Sequence, residues 1–550
     1  MSAKFSARIA LLSASLVWGS CGGDGGSSGT PGTAGRGGAT GSGGTTGSAG
    51  TTGVAGTTGS GGTTGSAGVT GSAGLGGAAG GATGAAGSAA GQGGGAGTTG
   101  AAGTTGTAGS GSGGRGGSTG AGGTTAGSGG ASGGAAGRGG TTGTGGVAGS
   151  STGSAGTGGS AAGGSGGLPT SYDKENTGAD CPAPPAPPAF SALTAIANMP
   201  DPFLMTNGTR ITTKDQWRCR RAEIKSQMEY WVSGPKGAPP STLTATFSGG
   251  NLTVVSTQGG ASITLTSTIS TPSGTGPFPV VIGMNTATGS LPSSLFTGRG
   301  VATMTFTSST LVPDAFNVPR GGGTYFTMYP DKNAGAMVEW AWGVSRLIDG
   351  LYKTTGHNID LKRIAVTGCS YQGKMALYAG AFDERIALTI PEESGGGGEA
   401  SWRVMSTQTG TEDLNAAQGT AWYAANLKQF MNPDAPKLPV DEHELVAMVA
   451  PRAILAVANT GIDRLGSEAG YVSMKAATEV YKALGVPDRI GFTQAAASAH
   501  CSFPSSQSAD VQAFIDKFLA AMPNANTNIA KSPYSTSLTR WITWTTPQLQ

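Results

Sequence analysis

RIAVTGCSYQGKMALYAGAFDERIALTIPEES, residues 363–394, is the stretch on which the fold turns. Ile364, Ala365, Val366 and Thr367 form a short β-prone run, and Gly368, Cys369, Ser370 and Gly373 then supply the small residues of a sharp strand-to-helix turn. Residues 372–382 carry helical spacing (Met375, Ala376, Leu377, Ala379), and 385–390, RIALTI, is a second apolar run of strand length, as in a buried parallel sheet. This order places Ser370 and the acids Glu392 and Glu393 at the carboxyl ends of neighbouring strands. In open α/β sheets that edge carries the ligand crevice. The turn departs from the usual G-x-S-x-G, because its second glycine, Gly373, comes one residue late. Without partners, the same residues would serve equally well to let a helix pack closely on a strand.

Outward from this stretch, the chain divides by composition. It has 550 residues, 102 glycines and a net charge of +3 with 11% charged residues, a balance that argues against a nucleic-acid partner. Residues 1–20 carry early basic residues and a short apolar segment, and read as an export signal. Cys21, after two small residues, is placed as the lipid acceptor of a bacterial lipoprotein, anchoring the chain to an outer membrane. Trp18 departs from that pattern, so a plain cleaved secretory peptide stays open. The destination is then either the cell surface or the medium.

Residues 21–167 are nearly all Gly, Ser, Thr and Ala. They are expected to be disordered, since they offer nothing to bury; as a coil they would span about 65 Å and serve as a tether. Residues 168–550 form one domain, with its core at about 181–525. Strand patterns fall at 243–247, 252–255, 262–267, 279–284, 301–306, 454–458 and 490–494, and helical periodicity at 215–231, 336–351, 471–484 and 508–521. A β-rich start followed by alternation predicts an α/β fold: a mostly parallel sheet with an antiparallel amino-terminal edge. With Cys21 set aside, Cys181, Cys219, Cys369 and Cys501 remain, an even set that in an exported chain allows two disulfides in three pairings.

Serine needs a base, and the chain has three histidines. His357 precedes the strand leading to Ser370, and His443 sits among carboxylates at a helix start; both read as structural. His500, in QAAASAHCSFPSSQ, lies in a small-residue loop after a strand and before the last long helix, and is the candidate base. Glu393 and Asp463 both end strands and compete to orient it. Three scattered histidines make no zinc site, and no metal or cofactor is expected.

The segments WAWGVSRLIDGLYKTTGHNIDLKRIAVTGCSYQGK (340–374), TIPEESGGGGEASWRV (389–404), IDRLG (462–466) and AHCSFPSSQ (499–507) closely resemble the glucuronoyl esterases, carbohydrate esterase family 15. The resemblance implies an α/β-hydrolase three-layer sandwich with Ser370 as nucleophile, Glu393 as acid, His500 as base and Lys374 touching the uronate sugar. It also implies hydrolysis of esters between 4-O-methylglucuronic acid side chains of xylan and lignin alcohols, and the chain is expected to act as a monomer. Where the family has G-C-S-R-N-G-K, its oxyanion-stabilising arginine is replaced here by Tyr371. Arg464 stands where a substrate-facing tryptophan is usual, and would either pair with a carboxylate or face solvent. Glu412, Gln418 and Trp402 are further expected substrate contacts.

With Ser370 and His500 in reach of each other, their neighbours Cys369 and Cys501 meet disulfide geometry, which leaves Cys181 with Cys219; the resemblance implies the same pairs. An esterase for other carboxylate or acetyl esters, and a non-catalytic polysaccharide-binding surface protein, remain as alternatives.

Overall fold

Alternation of side chains along strands explains why the chain forms a sandwich of three layers. The computed structural model describes residues 168–312, 319–331, 333–417 and 421–550. The export signal, Cys21, the tether and Gln418 lie outside the described residues. In chain order the sheet strands are β1 (Thr242–Ser248), β2 (Asn251–Gln258), β3 (Ala261–Ser270), β4 (Phe278–Met284), β5 (Ala302–Phe306), β6 (Ile359–Cys369), β7 (Ile386–Glu392), β8 (Ala453–Asn459), β9 (Ile490–Ala495) and β10 (Ala530–Lys531). The helices that pack on them are α1 (Lys214–Met228), α2 (Ala336–Lys353), α3 (Tyr371–Phe382), α4 (Glu442–Ala447), α5 (Ser467–Ala483) and α6 (Ser508–Phe518).

The sheet order is β1-β2-β3-β5-β4-β6-β7-β8-β9-β10. β1, β2, β3 and β5 pair antiparallel, and the ladders from β5 to β10 are parallel. This is the α/β-hydrolase arrangement with the antiparallel edge at its amino-terminal side.

Each central strand feeds two cores. Val280 and Ile282 of β4, Ile364 and Val366 of β6, and Ile454 and Ala456 of β8 enter the cluster that holds α2 and α3; Val281, Ala365, Leu455 and Val457 enter the one that holds Val511, Phe514 and Ile515 of α6. A period of two with both faces covered yields the continuous apolar runs seen in the sequence. Each fully buried Val, Leu or Ile side chain contributes about 1.5–3 kcal/mol. The elements differ from expectation mainly in their limits. β6 begins five residues before the β-prone run, at Ile359, which pairs with Phe278 of β4 ahead of a register shift, and β7 continues through Pro391 and Glu392.

The start of the domain is held at the amino ends of the parallel strands. Arg489, just before β9, donates to Pro169 O (2.7 Å), Ser171 Oγ donates to Lys362 O (2.9 Å), and Tyr172 N donates to Glu384 O (3.0 Å). The Cys181–Cys219 disulfide, with Cα atoms 5.3 Å apart, then ties this segment to α1. The residues that enter the domain are thus on the sheet edge opposite Ser370. No helix of the described residues is long and apolar enough to cross a membrane.

Several carboxyls are buried in this core without a full complement of cations. Burial pushes Glu339 and Glu392 up to about 8 and Glu399 to about 7. In the unfolded chain the same groups ionise near 4.5, so the folded state binds more protons between those values and stability is lost as pH rises through 7 to 8. His443, which burial lowers from 6.5 to about 4, works in the opposite direction only up to about pH 6.5, where the unfolded imidazole loses its proton, and adds little through pH 7 to 8. The melting temperature should therefore fall by several degrees between pH 6.5 and 8.5 in a calorimetric series, and a constant or rising value would contradict these protonation states.

Candidate active site

Ser370 occupies the junction of β6 and α3 with φ 64° and ψ −130°, a left-handed conformation rare for a residue with a side chain. Its amide donates to Glu392 O (2.9 Å), and its carbonyl accepts from Lys374 N (3.0 Å). The late glycine has its own reason. A Cβ at Gly373 would stand 2.3 Å from Glu392 O, so α3 can approach β7 this closely only with glycine there. One at Gly368 would meet Gln372 O at 2.6 Å.

Glu393 follows β7 directly, with its amide on Val457 O (2.7 Å). Its Oε2 accepts from His500 Nδ1 at 2.7 Å and from Cys501 N at 2.9 Å. This fixes the imidazole with Nδ1 as the donor and Nε2 as the acceptor. The loop bearing His500 is further pinned by Asn459 at the end of β8, whose Nδ2 donates to Ala499 O (2.9 Å) and whose Oδ1 accepts from Ala497 N (2.8 Å). The Cys369–Cys501 disulfide, Cα atoms 5.9 Å apart, joins the residue before Ser370 to the residue after His500. Ser370, Glu393 and His500 thus gather at the carboxyl edge of β6, β7 and β9. Asp463 is exposed at the start of the turn Asp463–Leu465 and holds no hydrogen bond to the imidazole. Both other histidines are structural: His357 Nε2 lies 3.1 Å from Leu351 O while Nδ1 accepts from Ile359 N, and His443 Nε2 bonds Pro200 O (2.9 Å) in full burial.

The sulfurs of Cys369 and Cys501 and the carboxylate of Glu393 lie within 4.8 Å of one another, a group that could be mistaken for a metal site. Both sulfurs are spent in the disulfide and offer no thiolate.

Beside the nucleophile turn, Lys374 is 2% exposed on the first turn of α3. Its Nζ is 3.5 Å from Glu412 Oε2 and 5.3 Å from the centre of the Trp422 ring. Burial lowers its pKa, against the opposing pull of Glu412. Arg464 takes the first of its two options: its Nη1 pairs with Glu412 Oε1 at 2.6 Å, so Glu412 bridges both cations. Tyr371 stacks on Trp422 (ring centres 5.9 Å apart) and against Trp340 (6.0 Å), and its hydroxyl accepts from Asn285 Nδ2 at 3.3 Å. Trp402, the other expected contact, is 1% exposed and packs edge-on against Tyr423, so its indole is buried in the core.

Sequence reasoning missed Asn285, Trp340 and Glu392. Asn285 and Trp340 come from elements far apart in sequence. Glu392 carried a usable signal: adjacent residues at a strand end point to opposite sides, so of two neighbouring acids only one can reach the imidazole.

A family model described as glucuronyl esterase, fungi, matches residues 254–485. A curated 4-O-methyl-glucuronoyl methylesterase from Hypocrea jecorina is 41% identical over 382 residues, which cover 68% of this chain and 80% of that protein. Among solved structures, a serine-to-alanine mutant of a glucuronoyl esterase from Sporotrichum thermophile, in complex with methyl 4-O-methyl-β-D-glucopyranuronate, is 36% identical with a TM-score of 0.61, covering 65% of this chain and 97% of that one. A carbohydrate esterase family 15 glucuronoyl esterase from Caldicellulosiruptor kristjansonii is 29% identical with a TM-score of 0.57, covering 65% and 100%.

Proposed function

The chain belongs to the glucuronoyl esterases of carbohydrate esterase family 15 and is a carboxylic-ester hydrolase; from that premise we propose that Ser370, His500 and Glu393 cleave esters of 4-O-methyl-glucuronic acid on xylan through an acyl-enzyme. The observation that carries this reading is the 2.7 Å bond between His500 Nδ1 and Glu393 Oε2. With Nδ1–H committed to the carboxylate, Nε2 is the basic nitrogen and takes the Ser370 proton as the hydroxyl attacks the uronate carbonyl. The Glu393 charge stabilises the imidazolium. The developing oxyanion lies at the amino end of α3, a twelve-residue helix, whose first backbone amides would be its donors, with the Tyr371 phenol as a further one. The imidazolium then protonates the departing alcohol, a lignin alcohol in the natural linkage, and a water attacks the ester at Ser370 by the same route reversed.

Lys374 and Glu412 form the uronate-facing wall. Arg464, paired to Glu412, would hold that carboxylate in place while leaving less apolar surface for the alcohol than a tryptophan would. Two disulfides support an oxidising destination outside the cytoplasm.

Turnover of methyl 4-O-methyl-glucuronate by the purified chain, beside p-nitrophenyl acetate and xylan binding, tests the reading. A kcat/KM on the uronate ester at least about a hundredfold above that on the acetate is expected, a gap of about 2.7 kcal/mol. Preference for the acetate would favour a general esterase, and xylan binding with no turnover would favour a non-catalytic surface protein.

A further inference from the structure

The carboxyl of Glu392 has no part in the triad, yet it lies 1% exposed directly behind the nucleophile turn. Its Oε2 accepts the Ser290 amide (3.1 Å) and the Ser290 hydroxyl. Its Oε1 is 2.9 Å from Thr367 Oγ1 on β6. Its backbone carbonyl accepts from Ser370 N (2.9 Å), and the ladder register pairs it with Cys369. Gly289 gives it room: a Cβ there would stand 2.1 Å from Oε1. One residue thus connects the loop 285–291 after β4 and the nucleophile strand, through its side chain, and the Ser370 turn, through its carbonyl. The same loop begins at Asn285, which donates to the Tyr371 hydroxyl (3.3 Å).

Hydrogen counting assigns the charge state. Thr367 Oγ1 lies 2.9 Å from Ile390 O as well as from Glu392 Oε1. A hydroxyl has one hydrogen and a carbonyl has none, so both contacts are satisfied when Thr367 donates to Ile390 O and Glu392 Oε1 supplies the other hydrogen. Oε2, the remaining carbonyl-type oxygen, then accepts both donors of Ser290.

We propose that Glu392 is a positioning residue which, as a neutral carboxylic acid, holds the loop 285–291 against the Ser370 turn and so fixes the oxyanion side of the site. The proposal rests on reading Ser370 as the nucleophile. The titratable groups facing Glu392 are Glu393, one residue on, and through it His500; β6 and the loop after β4 present the hydroxyls of Thr367 and Ser290. Burial raises the Glu392 pKa to about 8, against the pull of the Ser290 and Thr367 bonds and with a further push from Glu393. Its ionisation would remove the hydrogen given to Thr367 and set a second negative charge beside the developing oxyanion.

The test is kcat and KM of the full chain on a methyl glucuronate ester from pH 6 to 9.5, corrected for spontaneous hydrolysis, for the parent, Glu392→Gln, Glu392→Leu and Ser370→Ala. Parent kcat should fall above about pH 8, following the Glu392 carboxyl. Glutamine, which has the shape and the hydrogen of the neutral acid, should keep kcat within about threefold at pH 7 and lose that alkaline fall. Leucine leaves Ser290 and Thr367 without a partner and should lower kcat by more than about tenfold with little change in KM. A glutamine variant as impaired as the leucine one, or one that keeps the parent's alkaline fall, overturns the proposal. Should Glu392→Leu fail to fold, by circular dichroism, the glutamine profile alone decides. Activity surviving in Ser370→Ala would overturn the reading of the nucleophile itself, an outcome separate from the Glu392 comparison.

Discussion

Ser370→Ala is expected to reduce kcat on a methyl glucuronate ester by roughly 10⁴- to 10⁶-fold while leaving the melting temperature and far-ultraviolet circular dichroism unchanged. In the proposed mechanism the hydroxyl forms the ester intermediate, so its loss would remove the covalent route entirely. Only binding and the oxyanion donors at the start of α3 would then act on a direct attack by water. Stability should be indifferent or slightly improved. Ser370 holds its turn through backbone bonds to Glu392 and Lys374, and these do not depend on the side chain. A variant within tenfold of the parent would place the nucleophile elsewhere. Trapping of the acyl-enzyme by rapid quench, seen in the parent and lost in the alanine variant, gives the same answer by mass.

How much of this site could be read in the sequence follows from which signals are local. The strand, turn and helix around Ser370 were legible because a β-prone run, a cluster of small residues and helical spacing follow one another within one stretch. The late glycine looked like a departure from a motif, yet the contact that demands it, Glu392 O against Gly373, joins elements nineteen residues apart and is invisible to a local pattern. His500 could be found by elimination among three histidines. The burial of Trp402 beside Tyr423 was not legible, because a tryptophan between predicted elements reads the same whether it faces solvent or fills the core. The Arg464–Glu412–Lys374 chain was out of reach for another reason: it joins three segments whose meeting is decided by packing. Both disulfides pair as expected, since the triad geometry brings Cys369 to Cys501 and leaves one partner for Cys181.

Glu393→Ala should lower kcat by about 10⁴-fold, or about 5 kcal/mol of transition-state stabilisation, whereas Asp463→Ala should cost less than about tenfold. The Glu393 carboxylate performs two tasks on one atom. Oε2 accepts both His500 Nδ1 and Cys501 N, so it orients the ring and also fastens the loop that carries it. Asp463, exposed on its turn, does neither. Near-native turnover in Glu393→Ala together with collapse in Asp463→Ala would reverse the assignment. Glu393→Gln separates the two tasks. Because both donors meet the same oxygen, an amide carbonyl at that place can still accept both and keep the tautomer, while the negative charge opposite the imidazolium is gone. Its kcat should therefore lie between those of the parent and the alanine variant. Its melting temperature should stay near the parent's, since the loop remains fastened. A glutamine variant as slow as alanine would mean that nearly all of the carboxylate's contribution is charge, and one as fast as the parent would mean that orientation alone suffices.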